Sequence, residues 1–166
     1  MKKNRNTFFS VKLILIIAAF LIIVPQISLS EDIHQGEEEE EAYPHRLELF
    51  LGNTHEAGED GFTVGLFYEY RLSKPFGIGL GVEHAAGDLD FWAVGVPFYF
   101  HPYLGSRFIL APGLGRKHGE NLFFFRAGAG YEFEIGRWNI TPEVNVDWAD
   151  DGETAVVYGF NVGYGF

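Results

Sequence analysis

From Arg46 to Phe166 the sequence alternates. Apolar side chains recur at every second position in segments of roughly ten residues, separated by turn residues. Eight such segments are found: Arg46–Asn53, Phe62–Leu72, Phe76–Ala85, Phe91–His101, Arg107–Gly115, Leu122–Ile135, Trp138–Trp148 and Thr154–Phe166. A period of two places successive side chains on opposite faces of a strand. The pattern therefore predicts an all-β chain with every segment amphipathic.

The contents of the two faces decide which face points inward. One carries Leu47, Leu49, Leu51, Phe62, Val64, Leu66, Ile78, Leu80, Val94, Phe98, Leu110 and Val144, among many others. The other carries Arg46, Glu48, Thr63, Glu69, Arg71, Glu83, Tyr99, His101, Arg126, Glu132, Glu134, Asn139, Thr141, Glu143, Asn145 and Asn161, with glycines between. Eight strands closed into a barrel enclose little more than a side-chain-filled interior. The bulky face is too large for that space, whereas the glycine-rich polar face fits it. The expectation is an eight-stranded antiparallel up-and-down transmembrane β-barrel, with its apolar face toward lipid. Aromatic residues gather at both ends of the apolar face: Tyr68, Tyr70, Phe76, Phe98, Phe100, Phe108, Phe133, Trp138 and Tyr164 at one end, Trp92, Phe123 and Trp148 at the other. Paired aromatic girdles are what the two membrane interfaces select. Pro97, Pro112 and Pro142 fall inside segments and predict bulges or breaks, because proline lacks a ladder donor.

Residues 1–30 read as an export signal. A basic start with Lys2, Lys3 and Arg5 precedes the apolar run Leu13–Val24, Pro25 ends it, and Ser28-Leu29-Ser30 supplies small residues for cleavage after Ser30. The run is shorter than the roughly 20 residues a spanning helix needs. Residues 31–44, with five consecutive acids from Glu37 to Glu41, read as an acidic disordered linker. The barrel would then occupy residues 45–166.

The formal charge is −11, and removing the basic leader makes the remainder more acidic still. Such a chain is a poor partner for nucleic acid. The absence of cysteine excludes disulfides, thiolate metal sites and a cysteine nucleophile. Connections after odd-numbered segments hold Glu56, Glu59, Asp60, Asp88, Asp90, Glu120, Asp150, Asp151 and Glu153; those after even-numbered segments are acid-free and hold Lys74 and Arg137, with Arg71 and Arg107 at the strand ends. In an even-stranded meander these two sets lie on opposite rims. Short turns belong on the periplasmic side, so the acidic set is expected to form longer external loops, with both termini periplasmic.

The pattern resembles the small outer-membrane β-barrels of Gram-negative bacteria, of the OmpX and OmpA-transmembrane-domain kind. The resemblance rests on the eight segments and on the chain end, where Tyr158, Phe160, Val162, Tyr164 and Phe166 are similar to the terminal signal such proteins present to the barrel-assembly machinery. It implies a bacterial outer-membrane location and contact with membrane lipid and lipopolysaccharide. A monomer is expected.

Two candidate sites follow. The first is a lumen charge network of Arg46, Glu48, Glu69, Arg71, Glu83, Arg126, Glu132, Glu134 and Glu143, expected to plug the barrel because buried charges need partners. The second is the acidic rim. Glu56, Glu59, Asp60, Asp150, Asp151 and Glu153 offer hard oxygen ligands for Ca²⁺ or Mg²⁺, without the spacing of an EF-hand loop. Catalysis is not expected, and no other cofactor is implied. After residue 30 the only serines are Ser73 and Ser106, both predicted in turns with no histidine nearby in sequence. The predicted role is structural or surface-interactive. The alternatives are a binding module for divalent cations or basic partners, a narrow channel for water or small ions, and, last, a lipid-modifying enzyme.

Overall fold

The computed structural model describes residues 43–103 and 105–166. The export-signal reading of residues 1–30 and most of the acidic linker lie outside them. Ten strands form one sheet: β1 (His45–Glu56), β2 (Glu59–Arg71), β3 (Phe76–Ala85), β4 (Phe91–Gly95), β5 (Phe98–Phe100), β6 (Ser106–Lys117), β7 (Glu120–Tyr131), β8 (Phe133–Ile135), β9 (Trp138–Ala149) and β10 (Thr154–Gly165). β4 and β5 are two halves of one stave, since both pair with β3 and β6. β7 and β8 are likewise halves of another, both pairing with β9. Eight antiparallel staves result, each beside its sequence neighbour. The sheet closes where β10 pairs with β1, from Arg46↔Gly165 to Glu56↔Ala155.

The breaks trace to proline, but as interruptions rather than bulges. Register is the same on both sides of each gap, so no residue is inserted. The β4–β5 gap contains Pro97, and there Val96 N–H donates to the Pro112 carbonyl while Pro112 has no N–H to return. Pro142 stays within continuous β9. Its effect falls on the next stave: continued in register it faces Tyr131, where β7 ends before β8 begins.

The faces are inverted relative to a water-soluble protein. Leu47, Leu49, Leu51, Leu66, Leu80, Leu110 and Phe160 are exposed, whereas Glu48, Glu69, Arg107, Asn145 and Thr141 are buried. Close packing of lumen side chains against neighbouring staves depends on glycine, as at Gly113 and Gly77. A Cβ at Gly113 would enter the Phe124 ring, and one at Gly77 would strike the Glu69 carboxylate.

The hairpin ends correct one expectation. The acidic connections are not longer than the others. β1 and β2 continue to a two-residue turn at Ala57-Gly58, and β6 and β7 to another at His118-Gly119. Both turns have positive φ at both central residues, 51° and 98° in the first, 49° and 91° in the second. That is the type I′ geometry whose twist matches flanking strands. Loop length therefore does not distinguish the two rims. Polar strand extension does: β1 runs on past Leu51 through Asn53 and His55 before it turns.

Candidate functional site

The lumen is a stack of ion-paired tiers. At the end of the barrel nearest His45 and Phe166, Arg46 bonds Glu132 at 2.6 Å and Glu134 at 2.7 Å. Arg71 bonds Glu69 at 3.2 Å and Glu132 at 3.0 Å, and His101 Nε2 lies 3.0 Å from Glu69 Oε1. Glu134 is only partly in the lumen, its side chain 42% exposed at the rim.

Arg107 is the hub. Its Nη1 donates to both Glu48 oxygens at 2.7 and 2.8 Å and its Nη2 to Glu143 at 2.8 Å. Its guanidinium lies 5.0 Å from the centre of the buried Tyr99 ring. Asn139 donates to Glu48, while Asn145 and Asn161 donate to Glu143, so that both carboxylates accept several bonds. The next tier is Arg126, which holds Asp147 at 2.6 and 2.8 Å and also bonds Glu83.

Arg107 and Asp147 were absent from the network expected from sequence. The sequence places Arg107 at a strand end on the rim, whereas in the barrel it is 1% exposed. The signal was parity, since Arg107 lies on the face opposite Phe108 and Leu110. The lumen is also less uniformly polar than expected. Phe67 lines a small void with Glu83, Arg107 and Arg126. Farther up, the loop residue Leu89 is completely buried and lines the mouth with Phe91, Leu122 and Phe124. Each void measures only about 20 Å³, room for about one water.

The six carboxylates proposed for a divalent cation do not converge. Glu56 belongs to β1, points into the mouth and is paired with Lys117 at 2.7 Å. Asp60 bonds His55, Asp150 accepts the Phe123 N–H, and Asp151 accepts the Glu153 N–H. Glu59 and Glu153 are exposed. Among the described residues, one trio brings metal-ligating atoms within 4.8 Å of one another: Glu69, His101 and Glu132. Arg46, Arg71 and Arg107 already occupy those carboxylates, so the trio is built as an ion-pair cluster. Ser106 Oγ donates to the Tyr103 carbonyl. Tyr158, Phe160, Val162 and Phe166, all from the chain end, are exposed on the outer wall.

This inverted, plugged cylinder is the fold of small eight-stranded outer-membrane barrels. The N-terminal β-barrel domain of Pseudomonas aeruginosa OprF superposes with a TM-score of 0.56 at 13% identity, covering 73% of this chain and 97% of that one. Neisserial surface protein A matches with a TM-score of 0.52 at 10% identity over 74% and 96% of the two chains. Ail, the attachment invasion locus protein of Yersinia pestis, in complex with the heparin analogue sucrose octasulfate, matches at 0.51 and 13% identity over 74% and 96%. No family model and no curated protein sequence matches the chain.

Proposed function

We propose that this chain is an integral outer-membrane protein, exported by residues 1–30, whose closed barrel serves as a structural or surface-interaction element. One contrast carries the reading. Leu49 and Leu80 are 43% and 60% exposed, while Glu48 and Glu69 have no exposed surface. In water that arrangement is backward; in hydrocarbon it sets the apolar side chains against lipid and keeps the charges paired inside. The barrel's ends at His45 and Phe166 lie on the rim holding Lys74 and Arg137, which faces the periplasm in this reading, and the acidic rim faces outward. The plugged lumen argues against conduction, and neither serine is set beside a histidine for acyl transfer. Ail was seen with a polyanion; the acidic rim here favours cationic or polar partners instead. The outward residues of β10 are proposed to be read by the assembly machinery.

Refolding into detergent and comparing boiled with unboiled gel migration tests the barrel. The unboiled form should run faster. Leu49→Arg, at the middle of the belt on β1, should cost about 2–4 kcal/mol in vesicle unfolding, as cations at the bilayer midplane do. No difference in migration, together with an unaltered Leu49→Arg, would sink the reading. Planar-bilayer recording should find wild type silent.

A further inference from the structure

The outer wall is not polar in the same way all round. Strand register places His84, Trp92, Arg116 and Asn121 side by side on β3, β4, β6 and β7. All four point away from the lumen. Each neighbours the last outward apolar residue of its stave, Val82, Val94, Leu114 and Phe123, so the row marks the upper edge of the apolar belt. The staves flanking the row carry acids near this level, Asp60 on β2 bonded to His55 and Asp150 at the end of β9 accepting the Phe123 N–H.

The row is rich in unused donors. Arg46, Arg71, Arg107 and Arg126 are each paired with carboxylates, and Lys117 with Glu56. Arg137 lies 4.8 Å from the Tyr43 ring centre. Arg116 is exposed, and among the described residues no acid pairs with it, although the adjoining connections carry Asp88, Asp90 and Glu120. His84 stacks on Trp92 with ring centres 4.4 Å apart, and its Nδ1 is buried without a partner. A guanidinium offers five donors in a planar fork, and Trp supplies an indole N–H. Neighbouring strands are about 4.8 Å apart, so four staves spread these groups over about 14 Å. That width suits one lipid headgroup lying against the wall.

We propose that His84, Trp92, Arg116 and Asn121 form a docking site for the phosphate of an outer-leaflet lipid headgroup, whose chains run down the apolar wall below. Arg116 takes the phosphate oxygens, Trp92 and His84 form the flat floor at the interface, and Asn121 contacts the headgroup. The inference rests on the membrane reading above and on its orientation. A phosphate bound here balances Arg116, which no acid pairs among the described residues, as a charge-assisted bond in a partly desolvated setting.

The test uses the full barrel refolded in nonionic detergent and titrated with short-chain phosphatidic acid or with phosphatidylcholine of the same chains. Bound lipid is counted by native mass spectrometry, and Trp fluorescence follows the titration. Wild type should hold phosphatidic acid about tenfold more tightly. Arg116→Gln should remove most of that preference, and adding His84→Gln the rest. Lys74→Gln, which removes an exposed cation from the opposite rim, should leave it intact. Equal preference in wild type and Arg116→Gln, or an equal loss in Lys74→Gln, would overturn the site in favour of diffuse attraction. Displacement by inorganic phosphate at the lipid's own concentration would overturn the assignment to a lipid. Heat-modifiable migration is read on every sample. Its absence in wild type would overturn the barrel reading itself, whereas its presence with no lipid preference overturns only the site.

Discussion

The two ends of the lumen solve the same filling problem differently. Toward the termini, Arg46, Arg71 and Arg107 knit Glu48, Glu69, Glu132 and Glu143 together. Toward the acidic rim, Leu89, Phe91, Leu122 and Phe124 close the mouth, with Lys117–Glu56 beside them and Arg126–Asp147 beneath. A charged plug fixes its geometry through directional bonds and is costly to break, because each lost partner strands a desolvated charge. An apolar cap is cheaper to trim, since a smaller side chain leaves only a gap.

Four substitutions would sharpen or break that contrast. Arg107→Ala should be the most damaging, about 3–5 kcal/mol in vesicle unfolding, because Glu48 and Glu143 then face each other uncompensated. Arg107→Met should recover little of this loss, since the methionine restores volume and not charge. Leu89→Ala should cost about 2 kcal/mol, near the low end for a buried leucine because loop residues can settle inward. Proton flux into liposomes should rise in the Leu89 variant if the cap is the tighter seal; unchanged flux with a large flux in Arg107→Ala would reverse the ranking of the two ends. Lys117→Ala should cost about 1 kcal/mol, because its pair with Glu56 is largely covered but sits at the mouth rather than deep in the lumen. The smallest effect is expected from calcium. Millimolar Ca²⁺ should leave the melting midpoint unmoved, because the rim carboxylates are dispersed and several are already bonded; a midpoint rising with concentration would mean that the rim gathers a site on binding.

The staves and their inside-out sense were legible because period two survives any local irregularity. Glu48, Glu69, Glu83, Arg126 and Glu143 follow directly from it, and all are buried in the lumen. Three things were not legible, each for a physical reason. Arg107 directly follows an acid-free turn and so reads as a rim residue, though its parity with Ile109 points inward. Phe124 shares its residue type with the outward Phe123 and Phe125, and its place inside depends on Gly113 across the ladder, a register that a single sequence does not display. Leu89 sits in a connection, where no periodicity applies, and its burial is a tertiary event. Strand ends escaped for a related reason. Beyond the belt both faces of β1 are polar, Asn53 and His55 outside and Thr54 and Glu56 inside, so hydrophobic alternation stops before the hydrogen-bonded ladder does.

The seam between β1 and β10 makes the last dozen residues a clasp. Before that stave is laid down, the sheet carries two raw margins of unmatched amides, a condition hydrocarbon does not tolerate and other chains readily exploit. A chain lacking Thr154–Phe166 should therefore not settle as a narrower cylinder. It should stay outside the bilayer and clump, so that sealing is a single late event.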